Sequence, residues 1–147
     1  MIIDVKKLKL AGKTQGEFEF SYIPKTNLLT LPNAVIDGAV NVKCSLILQG
    51  NDVYSDLTVG CTIVGECARC LKEARYKFLK EASVRFVVSD PEEDDYLYKK
   101  GLVDLTEAVN DIIITEEPSV ILCKEDCKGL CPVCGADLNC KDCGCKY

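Results

Sequence analysis

The chain has 147 residues, the size of one domain, with 18 Lys and Arg against 23 Asp and Glu for a net charge of −5. It contains no histidine, which excludes Ser-His-Asp and Cys-His catalysis as well as mixed cysteine–histidine metal sites. Apolar residues are 48% of the chain, about 40% once its 11 cysteines are set aside. That is enough for a folded core, and no apolar run is long enough to span a membrane.

The opening residues, Met1-Ile2-Ile3-Asp4-Val5-Lys6-Lys7, lack the apolar stretch of a signal peptide. With an odd number of cysteines and a length that needs no covalent staples, a reducing, cytoplasmic location is expected. In the first forty residues Leu8, Leu10, Phe18, Phe20, Tyr22 and Ile23 suggest short strands.

The pattern then becomes clear. Val40, Val42, Cys44, Leu46 and Leu48 alternate with polar residues, the period of a half-buried strand, and Gly50-Asn51-Asp52 reads as a turn. Val53, Leu57, Val59, Cys61 and Ile63 repeat the alternation. A third segment puts Tyr76, Phe78, Ala82, Val84, Phe86 and Val88 on one face and Arg75, Lys77, Glu81 and Arg85 on the other. Residues 90–95, Asp-Pro-Glu-Glu-Asp-Asp, read as a solvated acidic loop. A helix is predicted near 104–115, with Asp104 as N-cap, Glu107 completing a capping box, and Leu105, Ala108, Val109 and Ile112 on one face. Pro118 ends it. The predicted fold class is therefore α+β. It is dominated by an antiparallel β meander or partly open barrel, with one amphipathic helix and a cysteine-rich, zinc-knuckle tail. The expected division is a β-rich domain over 1–122 and a zinc-binding tail over 123–147 docked on it.

The cysteines sort by context. Cys44 and Cys61 fall in the inward register of strands and behave as small apolar residues. Cys67-Ala-Arg-Cys70 lies at a turn between two β-patterned runs, a context that suits metal ligation better than a redox dithiol. In the tail, Cys131-Pro-Val-Cys134-Gly135 is a knuckle: proline presets the turn, and glycine accepts a positive φ that lets backbone N–H groups face the sulfurs. Cys131 and Cys134 can close a four-thiolate site with Cys143 and Cys145, and spacing alone also admits Cys140 as an alternate ligand. Cys123 and Cys127 then need two more thiolates, and Cys67 and Cys70 are the unassigned pair. Two zinc ions are expected, one in each set of four.

These motifs resemble the YceD family, the large ribosomal RNA subunit accumulation proteins. The resemblance rests on Cys67-Ala-Arg-Cys70-Leu71, on Val103-Asp104-Leu105 followed by an acidic, isoleucine-rich helix and Pro118, and on Cys123 through Asn139 ending in Cys143-Gly-Cys145. Cys140 is an addition to that pattern. The resemblance implies a non-enzymatic factor for 23S rRNA synthesis, processing or stability in large-subunit assembly. Its implied partners are a ribosomal protein or the pre-ribosomal large subunit, with no DNA, membrane or small-molecule substrate. Two thiolate-bound zinc ions would take the net charge to roughly −9, too acidic for a general RNA coat. Arg69, Lys72, Arg75, Lys77 and Arg85 form the local basic exception where a 23S rRNA or partner contact is expected. The competing class is a thiol-redox or metal-handling protein using its CxxC pairs.

Overall fold

Alternating residues can bury only one face of a sheet, and the computed structural model, which describes residues 1–146, lays the chain out that way. The elements are β1 (Ile2–Asp4), α1 (Val5–Leu10), β2 (Gln15–Tyr22), β3 (Val35–Gln49), β4 (Asp52–Glu66), β5 (Glu73–Val87), β6 (Asp95–Leu97), β7 (Leu102–Asp104) and α2 (Thr106–Glu116). Five strands form one sheet in the order β2-β3-β4-β5-β6, antiparallel except for the parallel β5–β6 pair. The sheet is open. Of the two expected forms, meander and partly open barrel, the chain adopts the meander.

The inward residues of β3 and β4 are those the alternation selects: Val40, Val42, Cys44, Leu46 and Leu48, then Val53, Leu57, Val59, Cys61 and Ile63 are all buried. β5 adds Phe78 and Phe86, while Val88 lies beyond the strand and is exposed. Each of the larger side chains contributes about 1.5–3 kcal/mol by leaving water. α2 supplies the other side of this core with Ala108, Val109, Ile112 and Ile113. β1 and β7 pair as a separate two-stranded ribbon beside it.

Two local expectations need correction. Leu8 and Leu10 lie in α1 rather than in a strand; Asp4 caps this helix by accepting from the Lys7 N–H at 3.1 Å. Six residues with Leu10 88% exposed leave too short an apolar stripe to reveal a helical period. At α2, regular helix starts at Thr106, with Leu105 already in helical conformation (φ −79°, ψ −7°). The N-cap position is therefore Leu105 rather than Asp104, which instead steadies the first turn from just outside it, accepting from the Thr106 N–H at 3.0 Å and its hydroxyl at 2.6 Å. The Glu107 half of the capping box does not form among the described residues. Glu117 turns extended (φ −59°, ψ 145°) ahead of Pro118, which ends the helix as expected.

Candidate metal centres

The β4–β5 connection builds half of the first centre. Cys67 N–H donates to the Lys72 carbonyl at 2.8 Å and Leu71 N–H to the Cys67 carbonyl at 2.9 Å, closing a tight loop. The closure puts Leu71 at φ +61°, a left-handed conformation that costs a side chain about 1–2 kcal/mol. Both sulfurs of the loop face the segment that leaves α2. Ala68 N–H donates to the Ile121 carbonyl at 2.9 Å, Leu130 N–H to the Arg69 carbonyl at 3.2 Å, and the Arg69 guanidinium to the Cys127 carbonyl at 2.8 Å. These bonds carry Cys123 and Cys127 to the loop.

There the sulfurs of Cys67, Cys70, Cys123 and Cys127 converge within 4.8 Å of one another. Cys67 Sγ lies 3.8 Å from Cys127 Sγ, and Cys70 Sγ 3.6 Å from Cys123 Sγ. A tetrahedral ion with metal–sulfur bonds of about 2.3 Å sets its sulfurs about 3.8 Å apart, so the spacing fits a divalent metal. It is far beyond the roughly 2.05 Å of a disulfide. Three of the four cysteines are buried and Cys123 is exposed.

The second centre is local to the tail. Cys131, Cys134, Cys143 and Cys145 bring their sulfurs within 4.8 Å. Cys131 N–H donates to the Ala136 carbonyl and Gly135 N–H to the Cys131 carbonyl, each at 2.8 Å, so the knuckle folds on itself. Gly135 (φ +70°) takes the left-handed conformation for which its lack of a side chain suits it. Cys140 lies outside both quartets, exposed, with its thiol 3.6 Å from Asp137.

Within each quartet the protein divides the charge. Burial resists ionisation of Cys67, but backbone N–H groups from Cys123, Cys70 and Arg69 outweigh it and lower its pKa to about 6. In the tail, the Cys134 and Val133 N–H groups lower Cys131 to about 6. The opposing members move the other way. Desolvation, then the Cys70 thiol, pushes Cys123 up to about 12, and the Cys143 and Cys134 thiols push Cys145 up to about 12. Four thiolates at this spacing cannot all ionise unaided; a divalent cation among them removes the obstacle.

Sequence reasoning missed the side chains that support the first centre. Asn139 donates to Cys127 Sγ at 3.4 Å and accepts from the Lys128 N–H at 2.9 Å, while Lys72 pairs with Asp137 at 2.5 Å. Its position five residues beyond a cysteine pair carries no ligand signature. Most residues of the expected basic patch have partners within the chain. Arg69 is engaged with the tail, Lys72 with Asp137, Arg75 with Asp37 at 2.8 Å and Arg85 with Asp95 in a two-pronged contact. Lys77 is exposed and without an ion pair among the described residues.

An open sheet carrying two four-cysteine clusters, one shared with its tail, defines a small β-rich protein with candidate structural metal centres. No described helix is long and apolar enough to cross a membrane. The chain belongs to the YceD family: the family model described as "Large ribosomal RNA subunit accumulation protein YceD" matches residues 55–147. The family is thus described by ribosomal RNA accumulation rather than by a reaction. The uncharacterized protein YlbN of Bacillus subtilis is 31% identical over 127 residues, covering 82% of this chain and 74% of the relative. The uncharacterized protein Rv2926c of Mycobacterium tuberculosis is 33% identical over 88 residues, 55% of this chain. The match spans 42% of that longer relative. No solved structure matches.

Proposed function

We propose that this protein is a non-enzymatic cytoplasmic factor supporting 23S rRNA synthesis, processing or stability during large-subunit assembly. The match of residues 55–147 to a family described by large ribosomal RNA accumulation carries the reading. Zinc is the ion best suited to two sets of four thiolates with no histidine or carboxylate among them, and when bound it would supply rigidity rather than chemistry. Cys67, Cys70, Cys123 and Cys127 would hold one ion and Cys131, Cys134, Cys143 and Cys145 the other, ordering a tail, 123–147, whose fold depends on them. The quartet geometry weighs against the thiol-redox alternative, in which Cys67 and Cys70 would pair with each other.

Charge favours a protein partner over direct RNA contact. The Arg69–Arg85 stretch is largely paired with acidic residues, and a groove of about 740 Å³ between β6 and α2 is lined by Glu93, Asp94, Glu107 and Asp111. A basic ribosomal protein has the complementary charge for that groove. Depletion should lower 23S relative to 16S rRNA and accumulate large-subunit precursors on sucrose gradients. Unchanged subunit profiles in a clean deletion reject the proposal.

A further inference from the structure

β5 pairs with β4 along its entire length, from Glu66↔Glu73 to Val53↔Phe86. On its other side β6 covers only Arg85, Phe86 and Val87. Among the described residues no other backbone segment bonds to the stretch from Ala74 to Val84, which leaves a row of main-chain N–H and C=O groups facing outward. Proteins guard such edges with proline, bulges, short strands or charged side chains. This edge lacks proline, its register with β4 runs without a shift, and its one inward charge, Lys80, is held by Glu116 of α2 at 3.2 Å. Of the inward residues along it Ala74 and Phe78 are buried, but Tyr76, Ala82 and Val84 are only half-buried, whereas those of β4 are buried. Their edge-side flank is uncovered.

The side chains on the outer face indicate what covers it. Lys77, Leu79 and Glu81 follow one another at alternate positions. All three are exposed, Leu79 at 61%, and neither Lys77 nor Glu81 has an ion-pair partner among the described residues. The pattern is its own complement when reversed. We infer that the β5 edge binds a second copy of this chain, strand to strand and antiparallel, about a two-fold axis at Leu79.

β6 bounds the open stretch, and the outer-face charges set the register within it. The uncovered part of β5 runs from Glu73 to Val84, and an axis at Leu79 pairs Ala74 through Val84 of one copy with the same residues of the second, Leu79 opposite Leu79. Lys77 then faces Glu81 of that copy, Glu81 faces its Lys77, and Arg75 faces Ser83, so no like charges oppose. The other sheet edge fails this test: a two-fold pairing of β2 sets Glu17 against Glu19, or Glu19 against itself. A contact that uses the same patch twice closes at the dimer and joins two five-stranded sheets into one.

Sedimentation velocity on the full, reduced chain from about 5 to about 500 µM tests the inference. The species should pass from the monomer mass of 16.2 kDa to twice that value. Lys77→Glu sets Glu against Glu in both symmetry-related pairs and should weaken association about tenfold. Lys77→Glu/Glu81→Lys reverses both charges and should restore it, a rescue that only a two-fold register about Leu79 produces. Circular dichroism matching the parent protein shows that the variants are folded. A monomer at every concentration, growth beyond the dimer, Lys77→Glu without effect, or no rescue by the double variant each overturns the inference.

Discussion

The two cysteine quartets share a donor set and differ in what they join. The first takes two sulfurs from the β4–β5 loop and two from the segment after α2, separated by 53 to 60 residues in the chain, and is largely buried. The second draws all four from residues 131–145 and is only partly buried. A cross-link that closes a long loop removes more freedom from the unfolded chain than one closing a short loop. The first quartet should therefore hold the tail on the sheet, and the second should only shape its last turns.

Breaking each quartet separately gives the largest contrast. Cys67→Ser/Cys70→Ser should remove one zinc equivalent by native mass spectrometry and expose residues 120–131 to hydrogen exchange. Cys134→Ser/Cys145→Ser should remove the other equivalent while leaving the Ala68 and Leu130 amides protected. Equal loss of protection in the two variants would show that both quartets hold the tail alike.

Chelation sharpens the comparison by separating ligand cysteines from core cysteines. Stripping zinc should release the tail, so that the eight quartet thiols and exposed Cys140 alkylate at pH 7.5. Cys44 and Cys61 should react only after unfolding. Both lie in the sheet core, 2% and 7% exposed, so the reagent does not reach them whether or not the tail is docked. Mass spectrometry of the alkylated chain counts the classes.

Gly129→Ala tests the docking of the tail without touching a ligand. A Cβ there would lie 2.9 Å from the Arg69 carbonyl oxygen, and the residue has φ +74°. The substitution should cost about 1–3 kcal/mol in thermal or denaturant unfolding, with the lost protection centred on the first quartet.

The smallest effect lies far from both centres. Arg85, then the Glu92 N–H, holds the Asp95 carboxyl below its ordinary pKa. A depressed pKa stabilises the fold above the unfolded value near 3.9, and that contribution fades as pH falls through the lower folded value. Asp95→Asn should therefore lower Tm slightly at pH 7, and the gap to the parent protein should narrow at pH 3.

Much of this was legible in the residues. Period-two alternation marks β3, β4 and most of β5 because one face of each is buried, and the interrupted apolar stripe from Leu105 to Ile112 marks α2. α1 escapes because six residues with one fully buried side chain carry almost no period. The quartets are legible by elimination, since paired cysteines at ligand spacing leave few ways to sort them.

What local sequence determines here is the set of elements and donors: alternation, the proline stop after α2, and the CxxC pairs. Tertiary structure decides which edge remains open, because β6 takes only three residues of β5. It also decides that the basic stretch is spent on Asp37, Asp95, Asp137 and tail carbonyls instead of forming a free patch. Charge partners are chosen by how strands and tail meet in space, and no local pattern encodes such a meeting.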